Sequence, residues 1–144
     1  SLDELANGTF QPAIGEVNDL DPQGVKRVVM CSGKVYYDVL DQRRKNGQQD
    51  VAIVRIEQLY PFPLQAVREA LAPYAHVQDF VWCQEEPQNQ GAWYCSQHYL
   101  REVISKGSAL NYAGRPASAS PAVGYLSVHQ TQQKNLVNDA LNVN

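Results

Sequence analysis

The sequence has little of what membrane spans, secreted disulfide scaffolds and nucleic-acid binders require. No apolar run approaches the ~18 residues that a spanning helix needs, and the amino terminus lacks a basic region followed by an apolar one. The net charge is −3, from 12 basic and 15 acidic residues, so there is no positive field to hold a nucleic-acid backbone or an anionic membrane. Three cysteines are an odd number without disulfide-framework spacing, which favours a reducing, cytosolic (cytoplasmic) setting.

What is present suits a single globular domain. The chain has 144 residues and is 44% hydrophobic, and domains most often run to about 100–150 residues. Cys31, Cys83 and Cys95 each lie in an apolar stretch, so we expect three buried thiols. The stretch from residue 1 to about 24 has acids, Gly and Pro but little periodicity. We therefore predict a linker or entering segment over 1–24 and the domain over 25–144.

The hydrophobic pattern alternates between buried-strand runs and helical spacing. Short apolar runs that suit buried strands occupy residues 27–32, 51–56, 77–83 and, more weakly, 110–113. Apolar residues at helical spacing follow each run, over residues 35–45, 64–71, 93–104 and 128–141. Residues 84–91 are polar and interrupted by Pro87, which predicts a loop. Strands that alternate with helices in this way predict an α/β fold with a mostly parallel sheet covered on both faces.

Ligands of open parallel sheets bind beyond the carboxyl ends of the strands, so the loops there are the first to inspect. Ser32, Gly33 and Lys34 place a hydroxyl, a flexible backbone and an ammonium at a helix start, which suits a phosphate. A tight turn with a solvated Lys explains them equally well, because the flanking phosphate-loop and dinucleotide-binding frames are absent. Arg55 and Arg115 leave two other strands and could converge with Lys34 on an anion, or could form surface ion pairs or domain contacts.

The loop after the third strand offers paired carboxylates. Glu85 and Glu86 could act as an acid and a base if burial separated their pKa values. Adjacent residues of an extended chain point to opposite sides, however, so we expect one inward, hydrogen-bonded Glu and one at an interface. Gly91 permits an unusual backbone angle, and for Trp93 packing is favoured over ligand stacking.

Cysteine and histidine suggest two further sites, both of them weakly. Cys95 and His98 lie three residues apart on one predicted helix face, but no second pair completes a tetrahedral zinc site. Cys83 could be a nucleophile paired with His76 or His98, but nothing local indicates activation of its thiol. A self-sufficient enzyme built on a Cys or on the Glu pair therefore stays open as an alternative.

Five strings carry a resemblance to a known family. They are VVMCSGKVYYD (28–38), VAIVRIEQLYPFP (51–63), WCQEEP (82–87), NQGAW (89–93) and GRPASASPA (114–122). Their order and content resemble the end of bacterial 2-oxoglutarate dehydrogenase decarboxylating components, over essentially the whole chain. The resemblance implies a transketolase-like C-terminal domain, a three-layer α/β sandwich that lacks the GDG-to-Asn cofactor motif.

The resemblance also implies cofactors and partners for the full enzyme. In that family, thiamine diphosphate and magnesium bind between an earlier domain and the partner subunit of a homodimer. The enzyme decarboxylates 2-oxoglutarate and passes the succinyl group to lipoamide in a multienzyme complex of the tricarboxylic acid cycle, with dihydrolipoyl succinyltransferase and lipoamide dehydrogenase components. We expect the present chain to pack against the remaining domains of its subunit and to be inactive alone.

Some members of that family bind an allosteric nucleotide, AMP or acetyl-CoA, where this domain meets the rest of the subunit. The residues that match the family strings at the ligand-favoured edge are Ser32, Lys34, Arg55, Gln90 and Arg115. We predict that an adenine nucleotide or coenzyme A binds this edge, and that replacing Arg115 by Ala in the full enzyme removes nucleotide activation. The alternative is a free-standing domain that senses an adenine nucleotide or an acyl-CoA.

Overall fold

Runs of branched apolar residues build a five-stranded sheet. The computed structural model describes residues 10–117 and 126–143. The strands are β1 (Ala13–Ile14), β2 (Arg27–Cys31), β3 (Val51–Ile56), β4 (Asp79–Pro87) and β5 (Ala109–Arg115). Their order is β1-β3-β2-β4-β5. The four strands β2 to β5 are parallel, and β1 pairs with β3 antiparallel at the edge.

Helices follow the parallel strands. They are α1 (Val35–Asn46), α2 (Leu64–Leu71), α3 (Gly91–Val103) and α4 (Leu126–Leu141), with short 3-10 turns at Pro22–Gly24 and Ala72–Tyr74. Helix α1 ends at Asn46, one residue beyond the predicted range, because Gly47 adopts a left-handed φ of 64°. Within residues 10–117 and 126–143, no helix has the length and apolar character needed to cross a bilayer.

Alternate strand residues pack into two separate cores. Val28, Met30 and Trp82 contact α2 and α3 on one side of the sheet, which we name the α2/α3 side. Val29 and Cys83 contact α1 and α4 on the other, the α1/α4 side. Burial on both faces is why the strands contain continuous apolar runs. The predicted three-layer α/β sandwich with a mostly parallel sheet is confirmed.

The predicted loop over residues 84–91 is wrong in its first half. Strand β4 continues to Pro87 and stays paired with β5, with a register irregularity between Gln84 and Pro87. The strand continues because Gln84 lies two residues beyond the inward-facing Trp82, and its buried amide finds hydrogen-bond partners there.

The segment ahead of residue 24 contacts the sheet. Glu16 accepts hydrogen bonds from the Ile53 amide at 2.8 Å and from Nη2 of Arg43 at 2.7 Å. Arg43 is 1% exposed and also donates to the Val51 carbonyl at 2.9 Å. Residues 1–9 of the predicted linker, and residues 118–122 of the last family string, lie outside the described residues. The boundary at residue 24 stays a prediction, but residues 13–16 on its linker side pack against the domain.

The expectation of three buried thiols holds for two. Cys31 and Cys83 are buried register partners on neighbouring strands, whereas Cys95 is exposed. Cys95 differs because Ala92, Trp93 and Ser96 form the inward face of α3 and leave Cys95 on the outward face. The residues around Cys95 form an apolar stretch because several of them are aromatic, and not all of these aromatic side chains point into the domain.

Candidate functional site at the carboxyl edge of the sheet

All five residues predicted to form a site lie at one edge of the sheet. Ser32 and Lys34 follow β2, Arg55 lies near the end of β3, Gln90 precedes α3 and Arg115 ends β5. Because these strands run parallel, their carboxyl ends share one side, and the expected common edge is confirmed. The binding role of these residues stays a prediction.

The sheet itself separates these residues into two groups. Ser32 lines a cleft on the α2/α3 side, and Gln90 accepts a hydrogen bond through its carbonyl from a residue of that cleft. Arg55 and Arg115 contact helices on the α1/α4 side. Strands β2 and β4 lie between β3 and β5, so Arg55 and Arg115 leave the sheet roughly 14 Å apart. The five residues therefore do not surround one small ligand.

Arg55 is already engaged within the domain. Its guanidinium carbon lies 5.0 Å from the ring centroids of both Tyr36 and Tyr37, and Nη1 donates to the Tyr37 hydroxyl at 3.0 Å. Its Nε forms an ion pair with Glu57. The cation–π contacts and the paired carboxylate hold the guanidinium of Arg55 in position. Arg55 therefore contributes to packing within the domain as well as carrying a positive charge.

Arg115 is a fixed group, not a mobile charge. It is 6% exposed, and its guanidinium donates to the Glu85 carbonyl at 2.7 Å, to Gln132 at 2.7 Å and to Gln133 at 2.8 Å. Gln133 in turn donates to the carboxylates of Glu85 and Asp38, at 2.7 Å and 2.8 Å. This network joins α4 to β4, β5 and α1.

A cleft of about 340 Å³ opens on the α2/α3 side of the same edge. The Ser32–Gly33 turn and the start of α3 form two of its walls, and the exposed Tyr60 and Cys95 also line it. The lining is mixed, with apolar, hydroxyl, thiol and carboxylate groups: Ser32, Gly33, Leu59, Tyr60, Trp82, Gln84, Glu86, Gly91, Ala92 and Cys95. Lys34 is exposed beside it, one residue beyond the turn.

Gln84 organises this cleft and was missed by the sequence analysis. Its side-chain oxygen accepts from Trp82 Nε1 at 2.8 Å and from the Trp93 amide at 3.0 Å. Its side-chain nitrogen lies within 3.1 Å of three carbonyl oxygens, those of Glu86, Pro87 and Gln90. The signal that could have found it is the period-two continuation of the inward face from Trp82.

Two glycines let the chain approach these groups closely. Gly91 has φ 67°, and a Cβ there would lie 3.2 Å from the side-chain oxygen of Gln84. A Cβ on Gly114 would lie 2.4 Å from the Tyr112 hydroxyl, which donates to the Arg115 carbonyl at 2.7 Å. Burial raises the pKa of Tyr112 to about 12. Tyr112 therefore stays a neutral donor at the end of β5.

The structure weakens the two sequence-based catalytic alternatives. Burial raises the pKa of Cys83 to about 12, so its thiol is protonated at neutral pH and is a poor nucleophile. Glu85 contacts Gln133 on the α1/α4 side, while Glu86 lines the cleft on the α2/α3 side. As expected, the two carboxylates face opposite ways and Glu85 is hydrogen-bonded, while the expected position of the other Glu at an interface stays a prediction. Among the described residues, no group of three His, Cys, Asp or Glu side chains could hold a metal ion.

Comparisons with known proteins agree over nearly the whole chain. The sequence model of the family described as "2-oxoglutarate dehydrogenase C-terminal" matches residues 1–141. The chain is 71% identical over 141 residues to the "2-oxoglutarate dehydrogenase E1 component" of Haemophilus influenzae, covering 98% of this chain and 15% of that protein. It is 58% identical over 146 residues to the protein of the same name from Azotobacter vinelandii, covering 99% and 16%.

Among solved structures, a "Split gene transketolase, inactive beta4 tetramer" has a similar fold. The TM-score is 0.61 at 12% sequence identity, over 92% of this chain and 42% of that one. Identity this low shows the fold alone. The chain spans about one sixth of the length of the curated relatives described above. These matches confirm the resemblance that the five sequence strings indicate.

Proposed function

Because this chain belongs to the 2-oxoglutarate dehydrogenase C-terminal family, we propose that it serves as the structural and regulatory C-terminal domain of a decarboxylating (E1) component. The observation that carries this proposal is the 71% identity to such a component over 98% of the chain. The full-length protein would decarboxylate 2-oxoglutarate with thiamine diphosphate and magnesium. It would work as a homodimer in a cytoplasmic complex with dihydrolipoyl succinyltransferase and lipoamide dehydrogenase.

The catalytic step is assigned to other parts of that protein. The chain spans about one sixth of the length of the matched relatives, so the rest of such a protein would hold thiamine diphosphate and its metal ion. The buried thiols of Cys31 and Cys83 have raised pKa values and supply no nucleophile. In this chain the carboxyl edge of the sheet is rigid, because Arg115 binds α4 and Gln84 binds the start of α3.

Carbon dioxide release from 2-oxoglutarate tests this assignment. The 144-residue chain, supplied with thiamine diphosphate, magnesium and an artificial electron acceptor, should release none above buffer. The full-length protein from the same gene should release it steadily. Release by the 144-residue chain, or a full-length protein that is inactive on 2-oxoglutarate, would contradict the proposal.

We further propose that an adenine nucleotide or acetyl-CoA regulates the full-length protein at the carboxyl edge. Arg55 is bound by Tyr37 and Glu57, and Arg115 by the glutamines of α4. These two arginines would therefore hold the carboxyl edge in place and would not contact the ligand themselves. The phosphate contacts would come from Lys34, which is exposed, and from the Ser32–Gly33 turn at the start of α1. Gln90 would contact the ligand from the other wall of the cleft.

Replacing Lys34 by Ala in the full-length protein tests the nucleotide site. The ratio of activity with and without AMP or acetyl-CoA should fall towards one. Lys45→Ala is the matched control, because Lys45 is an exposed lysine at the opposite end of the same helix. An activation ratio unchanged in Lys34→Ala would remove Lys34 from the site. Tight nucleotide binding by the 144-residue chain alone would favour a free-standing sensor.

A further inference from the structure

One surface of the domain leaves large aromatic groups in solvent. It consists of Tyr60 from the loop after β3 and of Tyr94, Cys95 and His98 from the outward side of α3, and we name it the aromatic face. Tyr60 is 69% exposed and Tyr94 67%. Exposed apolar groups that adjoin one another mark interaction sites more often than scattered ones. Tyr and His also carry polar atoms that suit a boundary between protein parts.

The aromatic face rests on a rigid base. The ring of Phe62 stacks on Tyr99 at 5.2 Å, and the His98 ring lies 3.9 Å from the same tyrosine ring. Tyr60 and Cys95 line the same cleft, and interaction with the Cys95 thiol raises the pKa of Tyr60. The loop and α3 are therefore held together, and a partner would meet a preformed surface.

The preceding polypeptide enters the domain beside this face. The Pro12 carbonyl accepts hydrogen bonds from the amides of Glu57 and Gln58, at 2.8 Å and 3.2 Å, just ahead of Tyr60. Strand β1 runs antiparallel to β3, so residues 10–12 lie beyond the carboxyl end of β3. Phe10, in that position, is itself exposed. Residue 10, where the described part of the chain begins, therefore lies near the edge that carries Tyr60.

We infer that the aromatic face packs against the part of the same polypeptide that precedes residue 10, as an intramolecular domain interface. This rests on the proposed function, because the matched relatives place about five sixths of their length outside this region. The contacting surface should be apolar, with hydrogen-bond acceptors opposite the hydroxyls of Tyr60 and Tyr94. On the opposite side of the sheet the exposed Tyr37 is held by Arg55, and the exposed positions of α4 include the polar residues Gln130, Lys134 and Asn138.

The chain contains its own probe of this interface. Cys95 belongs to the aromatic face, and the other two cysteines of the sequence, Cys31 and Cys83, are buried inside the domain. The native full-length protein is treated with iodoacetamide, and the peptides that contain the three cysteines are quantified by mass spectrometry over time. We expect Cys95 to react at least ten times more slowly than in the 144-residue chain. Cys31 and Cys83 report any global unfolding.

A matched pair of variants separates the interface from general effects. In the full-length protein, Tyr94→Ser should restore most of the Cys95 reactivity. Tyr37→Ser should not, although Tyr37 is also an exposed tyrosine, because it lies on the α1/α4 side. Unchanged labelling of Cys31 and Cys83 shows that the domain remains folded in both variants.

Three results would overturn the inference. The first is a Cys95 that reacts as fast in the native full-length protein as in the 144-residue chain, which would leave the face free. The second is cross-linking across subunits by a photoreactive benzoylphenylalanine at position 94, in a mixture of ¹⁴N and ¹⁵N protein, which would identify a second copy as the occupant. The third is a Cys95 that is protected from iodoacetamide only when another component of the multienzyme complex is present. Carbon dioxide release by the full-length protein is measured in parallel, so that failure of the proposed function is recognised separately.

Discussion

Gln84 and Arg115 stand at the same edge of the sheet but on opposite sides of it. Arg115 draws two side chains of α4 inward, and the outer surface of α4 is polar. Gln84 holds the start of α3 through backbone groups, yet the outer surface of that helix exposes Tyr94 and His98. The comparison indicates that buried polar groups position both helices. Among the described residues, the α2/α3 side exposes Tyr60 and Tyr94, whereas the exposed Tyr37 of the α1/α4 side is held by Arg55.

The largest expected effect is on Gln84. Replacing Gln84 by Ala leaves Trp82 Nε1 and the Trp93 amide buried without an acceptor, at about 1–3 kcal/mol for each unsatisfied group. We expect the free energy of unfolding in urea to fall by about 3–5 kcal/mol. Gln65→Ala, an exposed glutamine of α2 on the same side, should change it by less than about 0.5 kcal/mol. Equal effects of the two changes would refute the role of Gln84.

Arg115 gives the corresponding test on the other side. Arg115→Ala should lower the free energy of unfolding by about 2–3 kcal/mol, because the Glu85 carbonyl and two glutamine oxygens lose a charged donor. Amide hydrogen exchange in α4 should rise more than in α3. Arg101→Ala, at an exposed position of α3, serves as the control. If amide hydrogen exchange rises as much in α3 as in α4, the Arg115 network does not act on the α1/α4 side alone.

High pH should act through the α1/α4 side, where Cys83 is buried. The thiol of the unfolded chain has an ordinary pKa of about 9, whereas burial in the folded domain raises the pKa of Cys83 to about 12. This stabilisation is complete below about pH 9 and is lost as pH rises towards 12. The free energy of unfolding should therefore fall by about 2 kcal/mol between about pH 8 and about pH 10.5. Urea titrations of Cys83→Ala should show a smaller decline, and an identical decline would exclude Cys83 as its source.

The smallest effect is expected for the exposed tyrosines. In the 144-residue chain, Tyr94→Ser should change the free energy of unfolding by less than about 0.5 kcal/mol, because its side chain is mostly in solvent. Tyr37→Ser should cost about 0.5–1 kcal/mol, because it also removes the cation–π contact with Arg55. Thermal unfolding followed by circular dichroism measures this. A loss of more than about 1 kcal/mol for Tyr94→Ser alone would mean that the aromatic face stabilises the domain itself.

The parallel sheet and its helices could be predicted because their signals are local. The run Val51–Ile56 and the stop at Gly47 are visible within a few residues. The candidate site could not be predicted in the same way, because its contacts span long separations in sequence. In the sequence Arg115 resembles a free cation, and only the packing of α4 places Gln132 and Gln133 beside it.

Arg43 shows that a local signal can also be misinterpreted. Its place near the end of α1 suggests a charge that complements the helix dipole, yet helical spacing from Val39 and Leu40 puts it on the apolar stripe. A cation at such a position needs a buried carboxylate, and Glu16 supplies it from a segment with little periodicity. The sequence analysis also missed the two-residue strand β1, because nothing in its own residues indicates that it pairs with β3.

The contact between Glu16 and Arg43 also limits where this domain can be exchanged between related proteins. A chimera joined anywhere between Glu16 and Val25 would combine a guanidinium from one parent with a carboxylate from the other, and any mismatch in geometry would leave a charge inside the protein. Recombination ahead of Pro12 keeps both residues, and the Pro12 contacts to Glu57 and Gln58, in one parental block. Libraries of shuffled sequences should therefore recover folded chimeras mainly from crossovers on the amino-terminal side of Pro12.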